Sequence, residues 1–498
     1  MNTKLLISAA FVLLAGGCTV GPNYQRPNVK LPAQWGEPLA SGVTNHDNLV
    51  GAWWKKFHDP ELDSLIGRAV TTNLDLRIAE ARVRQARAQQ GFAEAGYWPT
   101  VNASGAYARQ KQSENQPIIG SIPSSSNIPF ENSVYQAGFD AAWEIDLFGG
   151  KRRTVAAATA ALAAVEYGRR DVLVTLLSEV ARNYVLTRGA QRQLAIAQNQ
   201  IKAQAETVAI TQSRLDHGAG TDVDLQRALA LLATVQSQVP PIETSIQSSV
   251  HRLGVLLAQT PDALQEELSV TAPIPAPPLE VPVGLPSDLL LRRPDVLRAE
   301  RQLASETARI GQVKADLFPK FFLTGSAGLA SISTSDFFSP TSRLWSIGPT
   351  VQWRVFDAGR VRASLRAQTA IQDQASLTYE QVVLTSLEDV ENALVAYAKE
   401  QEHRHLLERA VTANAKAVDL ANQLYTKGLG KYLSLLDAQR ALYASQDELV
   451  RSDRAVTVNL IALYKALGGG WETDQSQPLA ATGLGKPDAA LEQARQSP

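Results

Sequence analysis

The chain has 498 residues, 45% of them hydrophobic, which is ample for a large core, and its length suggests two or three domains. Its formal net charge of -1 argues against a nucleic-acid protein, which would carry a basic excess. With one cysteine, Cys18, there is no internal disulfide.

Lys4 precedes an apolar run from Leu5 to Ala15, followed by Gly16, Gly17 and Cys18. A positive residue, a short apolar core and small residues predict a signal peptide over 1–17 rather than a membrane span. Small residues before a lone cysteine resemble the bacterial lipoprotein signal. That resemblance implies that Cys18 becomes the first mature residue, with an S-diacylglycerol and an N-palmitoyl chain. Ala15 departs from the pattern, which prefers leucine three places before the cysteine. Thr19, where aspartate would signal inner-membrane retention, points to the outer membrane. The competing reading is an ordinary signal peptide with an incidental cysteine. Residues 18–60 hold Pro22, Pro27, Pro32, Pro38 and Pro60 and predict an extended arm. Helical spacing then runs from Leu62 to about Tyr97, through Leu74, Ile78, Ala81, Gln85 and Ala88, until Pro99 stops it.

From Tyr135 to Leu147 the odd positions read Tyr135, Ala137, Phe139, Ala141, Trp143, Ile145 and Leu147. The even positions read Gln136, Gly138, Asp140, Ala142, Glu144 and Asp146. This alternation predicts a strand with one apolar and one wet face. Val101 to Arg109 is a weaker partner, and the Ser-, Pro- and Asn-rich stretch from Gln110 to Asn132 reads as a loop. The second half repeats the pattern in Phe321 to Ala330 and in Trp345, Ile347, Val351, Trp353 and Val355. The outward faces carry Phe139, Trp143, Trp345 and Trp353 and no charge. Strands of about 10 residues with one apolar face suit a bilayer crossed at a tilt. Four strands cannot close a membrane barrel, so they must be pooled with copies of the chain or form a soluble sandwich.

No proline interrupts Lys151 to His217. A heptad seam runs through Leu173, Leu177, Val180, Tyr184, Thr187, Gln191, Leu194, Gln198, Ile201, Ala205, Val208, Gln212 and Leu215, which predicts a long helix packed lengthwise on neighbours. At about 1.5 Å per residue it would span roughly 100 Å. The same seam returns 210 positions later, from Val383 to Tyr425, so the chain is an internal duplication. Gly218 and Gly220 make the turn, matched by Gly428 and Gly430, and Thr221 with Asp224 reads as a helix start. The returning helix runs from Asp222 to about Leu257, broken at Pro240 and Pro241. Polar residues in the seam leave two readings open: a solvated antiparallel coiled coil, or a helical wall with one face on water inside a conduit. The expected organisation is a first repeat over 61–260, a Pro-rich linker over 261–290, a second repeat over 291–468 and a C-terminal tail over 469–498.

After that linker come Arg292-Arg293-Pro294-Asp295, Ala299-Glu300, Ile310-Gly311, Ala315-Asp316-Leu317-Phe318-Pro319 and Leu323. These residues resemble the outer-membrane efflux protein family, the TolC-like outer-membrane factors. Cys18-Thr-Val-Gly21-Pro22-Asn-Tyr24 with Pro27 resembles the start of its NodT-type lipoprotein branch. Trp53-Trp54, Phe57, Asp59-Pro60 and Leu62 match the entry to its first helix, and Leu435-Leu436-Asp437-Ala438-Gln439 its second returning helix. The resemblance covers essentially the whole mature chain. It implies an α+β membrane protein: a homotrimer whose four strands per chain close a 12-stranded β-barrel, continued by a long α-helical periplasmic barrel. It further implies an outer-membrane exit duct that passively conducts small molecules such as drugs. The partners would be a periplasmic adaptor (membrane fusion) protein, an inner-membrane pump and outer-membrane lipid, with no nucleic acid.

The hairpin tips, Gly218, Gly220 and Thr221 with Gly428, Gly430 and Lys431, are the expected adaptor contact. Asp419 lies two turns before Gly428 and resembles an aspartate that family members place at the periplasmic aperture, where three symmetry-related carboxylates would select cations. Lys416, three residues before it, is a candidate bridge. The repeat equivalent of Asp419 is Ala209, so the acid is not part of the shared scaffold. The competing reading is a surface aspartate on a long helix. His403 and His405 flank Arg404 but, two residues apart, do not share a helix face. No nucleophile, metal cluster or cofactor loop emerges: Gly218-Ala-Gly220 lacks the third glycine, lysine and preceding strand of a phosphate loop. No cofactor is expected, and an enzyme is disfavoured. A periplasmic adaptor lipoprotein would show one helical hairpin rather than two. An outer-membrane duct for protein export is the remaining alternative.

Overall fold

The computed structural model describes residues 19–37, 39, 42–44, 51–111, 113, 131–278 and 280–472. Cys18, the expected signal peptide over 1–17 and residues 473–498 lie outside these residues. The elements, in chain order, are α1 (Pro60–Thr72), α2 (Leu74–Ala95), β1 (Thr100–Lys111), β2 (Glu131–Ile145) and α3 (Gly150–Asp216). Then come α4 (Asp222–Gln236), α5 (Val239–Leu256), α6 (Pro294–Ala315), β3 (Lys320–Ser331), β4 (Arg343–Gln352), α7 (Arg360–Thr426) and α8 (Tyr432–Ala466). The chain forms two compact units, each drawn from both halves of the sequence.

Both long helices, α3 and α7, have 67 residues, and their bounds differ by 210 positions (150 to 360, 216 to 426). For α2 against α6, and β1 against β3, the offset is 220 (74 to 294, 100 to 320). The ten extra residues of the first repeat therefore fall between its two strands. Pro240 and Pro241 sit in the opening turn of α5, where the missing N–H groups cost nothing. Lacking that pair, α8 returns as one helix of 35 residues.

One unit comprises Met1–Pro27, Val83–Val165 and Ala299–Tyr379 and contains the whole four-stranded sheet. At its amino-terminal end a strap is built in. Val20 N donates to Phe148 O at 3.1 Å. Arg153 donates from Nε to Val20 O (3.1 Å) and from Nη2 to Gly21 O (3.1 Å) and Asn23 Oδ1 (2.9 Å). Gly21 lies so close to Gly311 that a Cβ on it would stand 2.4 Å from the Gly311 Cα. Tyr24 then donates from its hydroxyl to Glu300 Oε1 at 2.9 Å. The motif residues Glu300 and Gly311 are thus the strap's seat.

The other unit comprises Asn28–Arg82, Glu166–Arg298 and Glu380–Pro498 and holds the main core. Within the stretch read as an extended arm, Trp53–Phe57 forms a 3-10 helix with Trp53, Trp54 and Phe57 buried. Trp53 stacks on Tyr464 with ring centroids 5.2 Å apart. Val43–Thr44 pairs in parallel with Val281–Pro282. Asp59 caps α1, its Oδ1 accepting from Glu61 N (3.0 Å) and Leu62 N (3.1 Å), with Pro60 at the first position.

The single helix expected from Leu62 to Tyr97 is two helices. Asn73 leaves the helical region (ψ 132), and its Oδ1 accepts from Leu76 N at 3.0 Å, starting α2. Its Nδ2 donates to Leu256 O at 2.8 Å, a carbonyl at the end of the returning helix. The matching junction of the second repeat is Arg293, since 73 + 220 = 293. Its Nη1 donates to Ala466 O at 3.0 Å, and 256 + 210 = 466. Arg293 is buried and also grips Asp295 (2.6 Å) and Asp389 (3.0 Å). Burial alone would raise the Asp295 carboxyl, but the hydrogen bond and charge of Arg293 outweigh it and hold that carboxyl below the usual range.

Candidate functional site

The sheet runs β1-β2-β3-β4, with every neighbouring pair antiparallel. Register sets which side chains share a face. Phe139 lies opposite Ala103 and Ala327, Trp143 opposite Leu323, Ile145 opposite Phe321, and Phe321 opposite Val351. Ile347 and Trp345 continue this face on β4. It stays open in the chain: Phe139 is 63% exposed, Trp345 76% and Ile347 69%. The opposite face carries Asn102, Gln136, Asp140, Ser326 and Ser346, cross-linked by Asn102 Nδ2 donating to Asp140 Oδ2 (3.0 Å) and by the Ser326–Ser346 hydroxyl pair (2.9 Å). The alternation seen along one strand therefore carries across the sheet, with Val134, Phe322 and Leu344 as apolar exceptions on the wet face.

Two expectations about this face need correction. Trp353 lies beyond the end of β4, because Gln352 is the last residue to pair with β3. Its indole Nε1 instead donates to Leu317 O at 3.2 Å, just as Trp143 Nε1 donates to Tyr97 O at 2.8 Å. These are equivalent bonds in the two repeats: each accepting carbonyl lies two residues before Pro319 or Pro99. The face is also not free of charge. Arg109 shares the face of Val101 within the expected strand, and the strands extend further toward their connecting loops than the apolar pattern does, which adds Lys111, Glu131 and Arg343 at the loop end.

Aromatic side chains mark both ends. Trp143 and Trp353 sit at the helix-connected foot, and Tyr107, Tyr135 and Trp345 near the loop end, with the two tyrosine rings 5.0 Å apart. Trp143 and Tyr135 are eight residues apart on β2, about 27 Å along a strand and less across a tilted one. That matches the apolar band between two aromatic girdles of an outer-membrane strand, about 25 Å tall. Among the described residues no helix is long and apolar enough to cross a membrane.

The hairpin tips have the same backbone and different chemistry. Gly218 (φ 71) and Gly428 (φ 77) take the left-handed conformation that ends each long helix. Thr221 caps α4: Asp224 N donates to its Oγ1 (3.3 Å), and that hydroxyl donates to Asp224 Oδ2 (2.8 Å). Lys431, its counterpart, offers no side-chain cap to α8. Arg214 joins the two hairpins, donating from Nη1 to Tyr425 O and lying 4.6 Å from the Tyr425 ring centroid. Behind them Ala228, Leu231, Val235, Tyr425, Tyr432, Leu435 and Leu436 form a separate apolar cluster. Nothing in the seam pattern singled out Arg214, because its partner lies on the other repeat.

Asp419 is exposed on α7, and Gln423 Nε2 donates to its Oδ2 at 3.0 Å. Gln423, rather than Lys416, holds this carboxylate within the chain; among the described residues no ion pair joins Asp419 to Lys416. His403 lies 3.3 Å from Glu400, and His405 3.7 Å from Glu408, in separate pairings. Among the described residues no group of three or more metal-ligating side chains gathers.

A sheet with one continuous apolar face, girdled by aromatics and joined to two long helical hairpins, defines an outer-membrane channel protein. The model of the outer membrane efflux protein family matches residues 65–259 and 285–469, and the chain belongs to that family. Pyoverdine export outer membrane protein OpmQ of Pseudomonas aeruginosa is 33% identical over 478 residues, 95% of this chain and 98% of that protein. Nodulation protein T of Rhizobium leguminosarum bv. trifolii is 32% identical over 479 residues, 95% of this chain and 98% of that one. The solved outer-membrane channel OprN superposes with a TM-score of 0.85 at 34% identity, covering 91% of this chain and all (100%) of that one. The protein is an outer-membrane efflux channel with its helical part in the periplasm.

Proposed function

We propose that three copies of this chain close a 12-stranded barrel and form the passive exit duct of a tripartite efflux system for small molecules. One observation carries this reading. The sheet has a single apolar face, and among the described residues its outer strands β1 and β4 have no further partner in the chain. In lipid those edges would leave backbone groups unpaired at several kcal/mol each, and membrane barrels need about 8 strands or more. Three fours meet that demand. The duct has no chemistry of its own, and energy comes from an inner-membrane pump reached through a periplasmic adaptor that grips the tips Gly218–Thr221 and Gly428–Lys431.

Phe139 lies midway between Trp143 and Tyr135 on the apolar face. Phe139→Arg should cost about 2–4 kcal/mol at the bilayer midplane. Gln136→Arg, on the wet face, should be tolerated. Recovery of membrane-inserted trimer is the readout, and equal losses from the two substitutions would return the sheet to a soluble sandwich.

Three Asp419 carboxylates around the axis form the periplasmic aperture in this reading. Asp419→Ala then weakens cation preference in single-channel recordings from planar bilayers; unchanged selectivity and conductance would make it an ordinary surface acid. Cys18 carries the lipid anchor, which mass spectrometry of the mature amino terminus checks. The relatives' names mention pyoverdine export, toluene efflux and cation efflux. The small-molecule class, rather than any one of these, is what passes to this chain.

A further inference from the structure

The two ends of the apolar face differ in charge. At the foot it ends in Val101, Ile145, Phe321 and Val351. At the loop end it carries Arg109, Lys111 and Arg343 against one acid, Glu131. β1 follows α2 and β2 leads into α3, so the foot is the periplasmic end and the charged rim faces outward. These cations do not stand in the open loops. Arg109 is two residues beyond Tyr107 on the same face, and Arg343 two before Trp345, so both rise directly from the aromatic girdle that marks headgroup depth.

Their partners leave them available. Arg109 pairs with Glu131 at 2.9 Å, but both side chains are mostly exposed (68% and 55%), and such a surface pair is weak. Lys111 and Arg343 are exposed, and among the described residues no side chain pairs with either. Exposed cations at headgroup depth on a lipid-facing surface meet the phosphates of the lipid, which arginine can grip with two parallel hydrogen bonds. We infer that this rim binds phosphate-bearing lipid of the outer leaflet through Arg109, Lys111 and Arg343.

The inference rests on the proposed closure in one respect. Arg109 and Lys111 stand on one edge strand and Arg343 on the other, where register through Leu329 and Ala137 sets it level with Gly105; three strand spacings and four residues put it roughly 20 Å from Arg109. Closing the barrel joins β4 of one copy to β1 of the next. Each of the three seams then gathers cations from two copies, a site that no single chain completes.

The test uses the full-length protein, reconstituted in phosphatidylcholine vesicles containing diphosphorylated lipid A. After re-extraction in mild detergent, native mass spectrometry reads subunit number and retained lipid together. The wild-type trimer should retain lipid A. The Lys111→Gln/Arg343→Gln form should retain it roughly tenfold less while staying trimeric. Wild-type protein offered dephosphorylated lipid A should show the same loss, which checks the inference without any substitution. Equal retention of lipid with and without phosphate, or unchanged retention by the doubly substituted trimer, overturns the lipid assignment and leaves the barrel standing. A wild-type protein that is not a trimer overturns the closure, and the seam site with it.

Discussion

Asn73 and Arg293 hold the same place in the two repeats, and the difference between them shows what a duplication keeps. Asn73 follows α1 and Arg293 follows a four-residue helix, Leu289–Arg292, each where a shorter helix gives way to a longer one, and each donates to the carbonyl at the end of its own returning helix. The first repeat meets that need with a neutral amide that also starts α2. The second uses a guanidinium held by two carboxylates and a second backbone carbonyl, Ser386 O at 3.4 Å. A buried carbonyl must have a donor, so the backbone preserves the demand. It does not specify the side chain that meets it.

Arg293→Ala should have the larger effect, about 3 kcal/mol or more, because it strands the partly buried Asp295 carboxylate as well as two carbonyls. Asn73→Ala should cost about 1–2 kcal/mol, one buried hydrogen bond and one cap. Denaturant midpoints of the detergent-solubilised protein check the order, and equal losses would break the comparison. Acid sharpens it. The Asp295 carboxyl sits below its usual range, so its contribution is complete above that range and is lost as pH falls through its own lowered value. The Arg293→Ala penalty should therefore shrink toward strongly acidic pH while the Asn73→Ala penalty holds steady.

The tips give the smallest contrast. Thr221→Ala should cost about 1 kcal/mol of local stability, and Lys431→Ala close to none, since Lys431 caps nothing. Hydrogen exchange of the first turns of α4 and α8 reads the two tips separately. Matching loss of protection at both would mean that tip chemistry follows the repeat after all.

Much of this was legible from spacing. The 67-residue helix expected from Lys151 to His217 runs from Gly150 to Asp216. A long seam averages over many turns, so its signal survives local exceptions. The four strands were legible for the same reason, because alternation on one strand fixes the face of its neighbours. The break at Asn73 was not, because apolar spacing continues through it and its acceptor lies 183 residues away. Lys111, Glu131 and Arg343 escape the alternation because hydrogen-bond register, rather than hydropathy, ends a strand, whereas Arg109 already lies within the expected strand Val101 to Arg109, on the face of Val101. Asp419 entered through family resemblance alone; with Ala209 as its counterpart, no periodicity marks it.

The strap at residues 20–23 carries a consequence for the order of events during biogenesis. Its partners on Arg153 lie 130 to 133 residues ahead, and Gly311 lies 290 residues ahead of Gly21 (311 − 21). Contacts this distant must wait for a long loop to close, which slows folding more than it costs in stability. The strap precedes both repeats in the order of synthesis and is thus among the last segments to be fully seated. Until the second repeat has been delivered, the strap has only Phe148 and Arg153 of the first repeat to hold it, and its approach to Gly311 and the Tyr24–Glu300 bond mark the moment when both repeats are in place.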